Sequence, residues 1–233
     1  MIKKHQFSHN DVRIESSKTL FSGFFEIAEL VVRHKLFNGN WSQPIKREIF
    51  QRGEAVGVLL FDPANQLVGL VEQFRVGALG EPQGPWQFEV VAGIMESGES
   101  PVDVACRELK EEAGLSAKEL IPICDYLVSA GGTDEKMHLY CGLTNLQNKQ
   151  GIFGLQSENE DILLHVWSYQ DTIEAKAEGI LNSALCGHCK LHNDIARQAT
   201  RQSSPRILRL HFYDWEIFAI TNPKTAPTNI NTH

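Results

Sequence analysis

Residues 100–114 constrain the chain more than any other stretch, because they read as one helix with both ends marked. Ser100 suits the N-cap, Pro101 the first helical position, and Gly114 the left-handed residue just past the end. At about 3.6 residues per turn, Val102, Ala105, Cys106, Leu109 and Ala113 gather on one face, which can pack on a sheet. Glu108, Glu111 and Glu112 gather on another. The apolar stripe fixes the helix, and the fixed helix aims three carboxylates the same way. Carboxylates held together repel and raise one another's pKa, a problem that a divalent cation removes. Hard oxygen ligands favour Mg2+ or Mn2+. Arg107 can pair with Glu99 or Glu111, and Glu99, just before the helix, can fold back onto the cluster. Any one of these glutamates alone reads as part of a solvated charged face; the whole pattern reads as a metal site.

Around this helix the sequence alternates in the manner of strands. Residues 24–32 and 45–50 are strand-like, and Asn38-Gly39 between them is a strong hairpin signal. Residues 55–61 and 67–73 form a second hairpin across Asp62-Pro63-Ala64-Asn65. Further strands are expected at 86–91, 126–129, 136–142 and 162–167, with a short helix at 170–178. Strands and helices mix without regular alternation. That predicts an α/β/α sandwich around a mixed β-sheet, not a doubly wound dinucleotide fold.

The bulk properties narrow the function. A length of 233 residues with 42% hydrophobic content suffices for a real core. A formal charge of -7 disfavours nucleic acid as a partner, yet permits a small anionic substrate beside a bound cation. No run of about 18 apolar residues is present, so no membrane span is expected, and no secretory signal is visible. The five cysteines, an odd number, suggest free thiols in a reducing compartment and a cytoplasmic protein. Cys186, His188, Cys189 and His192 could form a zinc knuckle, but one CxxC is weak evidence, and thiols in a helix or loop are the preferred reading. Residues 207–220, rich in aromatic and aliphatic side chains, are expected on the domain or at a subunit contact, and 221–233 as a flexible tail.

Gly93, Glu99, Arg107, Glu108, Leu109, Glu111, Glu112, Gly114 and Leu115 fill every fixed position of G-x5-E-x7-R-E-U-x-E-E-x-G-U, with U a bulky aliphatic. On these residues the chain resembles the Nudix hydrolases. The resemblance implies the Nudix fold, a loop–helix–loop metal site, and hydrolysis of a nucleoside diphosphate linked to another group. Gly23-Phe24-Phe25, residues 34–39, 46–50, 72–75, 89–93, 131–135 and 158–161 extend the likeness to the ADP-ribose pyrophosphatases of bacteria. That likeness implies roles for single residues. Phe24 stacks on adenine; Arg47 and Arg75 grip phosphate or stack on the base; Glu135, in the loop with Gly131, accepts from ribose hydroxyls. The carbonyl of Ala92 joins Glu108 and Glu112 on the metal, with Glu99 and Glu160 supporting. Glu158 matches the catalytic base, Glu111 is the next candidate, and Arg107 orders the glutamates. It also implies a homodimer through residues 1–52, with the hydrolase domain at 53–220. Ala130 stands where the family loop carries proline, a departure that bears on substrate choice. Other sugar nucleotides such as GDP-mannose or UDP-glucose, and a nucleotide-binding regulator without catalysis, stay open as alternatives. A structural zinc-binding interaction protein is a further one, and metal content after purification would identify it.

Overall fold

The computed structural model describes residues 4–183. The chain begins with a three-stranded antiparallel meander of β1 (Val12–Ser22), β2 (Glu26–His34) and β3 (Ile45–Gln51). The turn between β2 and β3 uses Gly39 at φ +87, a conformation that glycine adopts at little cost. The register places Val32 opposite Ile45 and Ile27 opposite Phe50. No residue of β1 is buried.

The larger sheet contains β4 (Glu54–Asp62), β5 (Leu67–Phe74), β6 (Trp86–Glu89), β7 (Val91–Ile94), β8 (Glu119–Leu127), β9 (Lys136–Leu143), β10 (Gly151–Phe153) and β11 (Ile162–Ser168). Its path runs β10-β11-β5-β4-β9-β8, with β6 on β5 and β7 on β4. The sheet is mixed because β4 and β9 run parallel while the other pairs are antiparallel. Eight of the nine residues of β4 are buried, as expected of a strand covered on both faces. Val56, Val58 and Leu60 face one core; Leu59 and Phe61 face the other. Helix α1 (Pro101–Ala113) closes the first core with Val104, Ala105, Leu109 and Ala113. Helix α2 (Tyr169–Ala177) contributes Ala175 to the second. This is the α/β/α sandwich anticipated from the sequence.

The ends of α1 are as read. Ser100 and Asp103 form a reciprocal capping box, Pro101 opens the helix, and Gly114 closes it at φ 60, ψ 25. Its phase differs from the expected one. Val102 is 47% exposed and Cys106 is exposed, while Val104 is fully buried. The core-facing positions recur as adjacent pairs four residues apart, 104/105, 108/109 and 112/113, so Glu108 and Glu112 ride on the buried face. Strand β8 begins at Glu119 and carries a bulge between Pro122 and Cys124, which broke the alternation in the sequence. Residues 86–91 divide into two strands at Val90, one pairing with β5 and the other with β4.

Cys186, Cys189, His192 and residues 207–233 lie outside the described residues. Among the described residues, Cys106, Cys124 and Cys141 are free, and no helix is long and apolar enough to cross a membrane.

Candidate active site

The glutamates of α1 meet the end of β7. Ala92 and Gly93 lie on β7, opposite Gly57 and Val56 of β4. The Ala92 N–H donates to Glu112 Oε2 at 2.9 Å. A Cβ on Gly93 would overlap the carboxylate of Glu108, so a larger residue here displaces that side chain. Arg107 reaches over the same space. Its Nε donates to Glu99 Oε1 at 3.1 Å, and its Nη1 donates to Glu108 Oε1 at 2.6 Å and Glu111 Oε2 at 3.2 Å. Its Nη2 donates to the carbonyl of Ile94 at 3.3 Å and to Glu99 Oε2 at 3.3 Å. Glu99 Oε2 also accepts from the Glu96 N–H at 2.9 Å. One guanidinium thus ties the loop before the helix to the helix itself, and Glu99 is held by it on both oxygens.

Glu108 and Glu112 are 8% and 3% exposed. Burial pushes Glu108 up to about 7, partly opposed by the charge of Arg107. Burial pushes Glu112 up to about 8, partly opposed by its bond from Ala92. The charges of Glu160 and of neighbouring glutamates raise both further. The hydrogen bond from Arg107 holds Glu99 below the usual carboxylate range.

Glu160 belongs to the cluster through residues 151–160. The Gly154 N–H donates to the carbonyl of Glu111, and Glu160 Oε2 accepts from the Leu155 N–H at 3.1 Å. Glu158 ends a 3-10 turn at Gln156–Glu158, exposed, followed by Asn159 in the left-handed region. That turn was absent from the sequence reading; its short span leaves no periodicity. Arg75 Nε and Nη2 both lie 2.8 Å from Glu89 Oε2, and the charge of Arg75 also reaches Glu112. Arg75 therefore stands at the rim of the cluster.

The substrate-contact candidates separate into two groups. Glu135, at the end of the loop with Gly131, pairs with Arg52 Nε at 3.1 Å. That loop docks on the N-terminal sheet: the Phe50 N–H donates to the carbonyl of Gly132, and the Asp134 N–H to that of Phe50. Arg47 lies on β3, and Phe24 lies in the turn between β1 and β2. Phe24 is 87% exposed and meets Phe25 edge-on at 4.7 Å, and Arg47 donates to the carbonyl of Lys46. The structure joins neither to the carboxylate cluster by a hydrogen bond or ion pair. Sequence reasoning missed Arg52, whose guanidinium lies 4.6 Å from the Phe25 ring centroid and faces Glu135. Its adjacency to the 46–50 segment was the available signal.

A NUDIX domain model matches residues 51–179 of this chain. The chain is 44% identical over 178 residues to the ADP-ribose pyrophosphatase of Escherichia coli (strain K12), covering 76% of this chain and 85% of that protein. It is 38% identical over 188 residues to the ADP-ribose pyrophosphatase of Haemophilus influenzae, covering 79% and 87%. The chain belongs to the Nudix family. A crystal structure of an ADP compounds hydrolase shares the Nudix fold at a TM-score of 0.59 with 18% identity, covering 85% of this chain and 99% of that one.

The donor set of this Nudix site fits a hard divalent cation. Glu99, Glu108, Glu111, Glu112 and Glu160 are five carboxylates beside two guanidiniums, Arg107 and Arg75. Two of the five are buried where charge is disfavoured, so a cation among them lowers the energy of the ionised state. Among the described residues, no three His, Cys, Asp or Glu side chains form a ready metal cage. Arg107 and the Ala92 N–H engage one oxygen each of Glu108 and Glu112, so filling the site requires those oxygens to be shared or released.

Two predictions arise here. Metal-free protein should lose stability as pH rises from about 4.5 to about 8. In that window the folded Glu108 and Glu112 hold protons that the unfolded chain has already released, so the slope of unfolding free energy with pH is negative. Added Mg2+ should raise Tm more at pH 8 than at pH 5. A Tm gain that is flat across this range would refute the coupling. Second, Gly93→Ala should displace Glu108, because the added methyl falls on its carboxylate. Metal affinity should drop about 10–100-fold, the range seen when the support of a ligand is lost. Calorimetric titration with Mn2+ measures it.

Proposed function

We propose that the chain hydrolyses the pyrophosphate bond of ADP-ribose to AMP and ribose 5-phosphate, using Mg2+ or Mn2+ held by Glu108 and Glu112. The observation that carries this reading is the pair of desolvated glutamates beneath Gly93, with Arg75 at their rim. The substrate follows the relatives named ADP-ribose pyrophosphatase.

Glu160 and the carbonyl of Ala92 complete the proposed ligands, with Glu99 in support. Bound divalent ions would neutralise diphosphate charge and acidify water. The protein's own work is positioning. Arg75, held by Glu89, grips a phosphate oxygen with the planar fork that suits it. Arg107 keeps the glutamates from splaying. Glu135 takes ribose hydroxyls. Glu158 accepts the proton of the attacking water, from an exposed position at the end of the 3-10 turn that the solvent can reach. The test is a panel of ADP-ribose, GDP-mannose, UDP-glucose and NADH with Mg2+ or Mn2+, ranked by kcat/KM. ADP-ribose should lead. Binding of ADP-ribose without turnover of any member would favour the regulator reading instead.

The same reading includes a homodimer built through residues 1–52. Ile14 and Phe21 of β1 and Phe24 of the turn after it are 65%, 59% and 87% exposed, and β1 buries nothing, a surface suited to a second copy. Phe24 and Arg47 would then serve the site of the partner subunit. Each of Arg47→Ala and Glu112→Gln should be nearly inactive alone, and subunit exchange between them should restore part of the activity. A fully active monomer, by sedimentation at assay concentration, would overturn the arrangement.

A further inference from the structure

A second cluster of titratable side chains lies outside the glutamate helix and bridges three strands. His138 of β9 is 7% exposed. Its Nδ1 lies 3.0 Å from Asp125 Oδ1 of β8, and its Nε2 lies 2.5 Å from Glu54 Oε2 of β4. Asp125 is directly opposite His138 in the β8–β9 pairing, and Glu54 is opposite Lys136 in the β4–β9 pairing. Lys136 Nζ lies 3.8 Å from both carboxylates. Tyr140 also feels the charge of Asp125. These are the charged and titratable groups facing the ring from β4, β8 and β9.

The cluster sits at the root of the loop that ends in Glu135. The Lys136 N–H donates to the carbonyl of Gly53 at 3.1 Å, and Asp134 Oδ1 accepts from the Arg52 and Gly53 N–H groups at 2.7 and 3.2 Å. The carbonyl of Glu54 accepts from the Met95 N–H at 3.0 Å, at the end of β7 where Ala92 and Gly93 lie. Residues 52–54 therefore touch both the end of the loop that carries Glu135 and the strand under the glutamate pair.

We infer that His138 is a positioning residue: bridged between Glu54 and Asp125, it locks the Glu135 loop in register with β4 and makes substrate affinity depend on the charge of its ring. An imidazole with carboxylates at both nitrogens donates to both only as the cation. With the proton gone, one carboxylate keeps only the distant Lys136 ammonium, and because Glu54 and Asp125 are half-exposed, that carboxylate turns to water. The loop end and the Arg52–Glu135 pair then loosen together.

The effect on substrate rests on the proposed ADP-ribose hydrolysis, so the test has two independent arms. In the first, KM and kcat for ADP-ribose are measured from pH 6 to pH 8.5 for wild type and His138→Gln. Wild-type KM should rise about tenfold over the range, the scale of one charge-assisted hydrogen bond, relative to a variant whose KM stays high and flat. The two kcat profiles should run in parallel, since the substitution leaves the glutamate cluster of α1 intact. In the second, hydrogen exchange follows the amides of Arg52, Gly53 and Lys136, corrected for intrinsic rates. Wild-type protection should fall with rising pH, and His138→Gln should be unprotected throughout. If His138→Gln folds poorly, Asp125→Asn keeps the test: its amide can donate to the neutral ring, so the bridge should survive loss of the proton, with KM low and flat and the three amides protected across the range. Parallel KM profiles with pH-independent exchange would overturn the inference. A pH-dependent exchange that His138→Gln abolishes, in protein that does not hydrolyse ADP-ribose, would sustain the clasp and count against the proposed substrate.

Discussion

Glu112→Gln is expected to lower kcat/KM for the diphosphate substrate by about 10³-fold, the loss of roughly 4 kcal/mol of charge stabilisation from a metal-bound phosphoryl oxygen. The substitution keeps the shape, and the amide oxygen can still accept from the Ala92 N–H. It removes the negative charge that burial opposes. Metal-free Glu112→Gln should therefore melt no lower than wild type at pH 8, where the wild-type carboxylate, pushed up to about 8, is already partly ionised in a desolvated site. Activity and stability thus move in opposite directions. A simple folding defect would lower both, so Tm in EDTA beside a Mg2+-dependent rate separates the two explanations. Near-wild-type turnover at limiting Mg2+ would remove Glu112 from the ligand set.

The second large effect concerns Glu158. Glu158→Gln should reduce kcat by about 10²–10⁴-fold, the usual contribution of a general base, and leave KM nearly unchanged. Glu160→Gln should act differently, because Glu160 faces the buried pair, whose protonation it influences, while Glu158 is exposed on the turn. Its expected effect is a higher Mg2+ concentration for half-maximal rate. If Glu158→Gln keeps its kcat and Glu160→Gln loses it, the two roles are exchanged. If neither matters, Glu111 becomes the candidate, although its carboxylate is already paired with Arg107 at 3.2 Å.

Local chemistry made much of this legible in the sequence. Capping at Ser100, the proline at 101 and the left-handed Gly114 depend on residues a few positions apart, so the limits of α1 could be read directly. The β4–β5 turn is likewise local, since Asp62 accepts from the Ala64 and Asn65 N–H groups. The grouping of the glutamates around Arg107 could be read for the same reason: one helix sets their relative directions.

What only the tertiary structure decided is which way that helix faces and what its side chains meet. Periodicity gives relative angles around α1, but the sheet chooses the buried sector, and it took Val104 over Val102 and drew Glu108 and Glu112 inward. The shifted pKa values follow from that burial and not from the glutamate spacing. The close approach at Gly93 arises because Glu108, fifteen positions later, lies where a methyl would be. The bridge from Glu54 through His138 to Asp125 joins three strands, two of them 84 residues apart at the point of contact. Contacts of that range are set by strand order and register, which no short window of sequence contains.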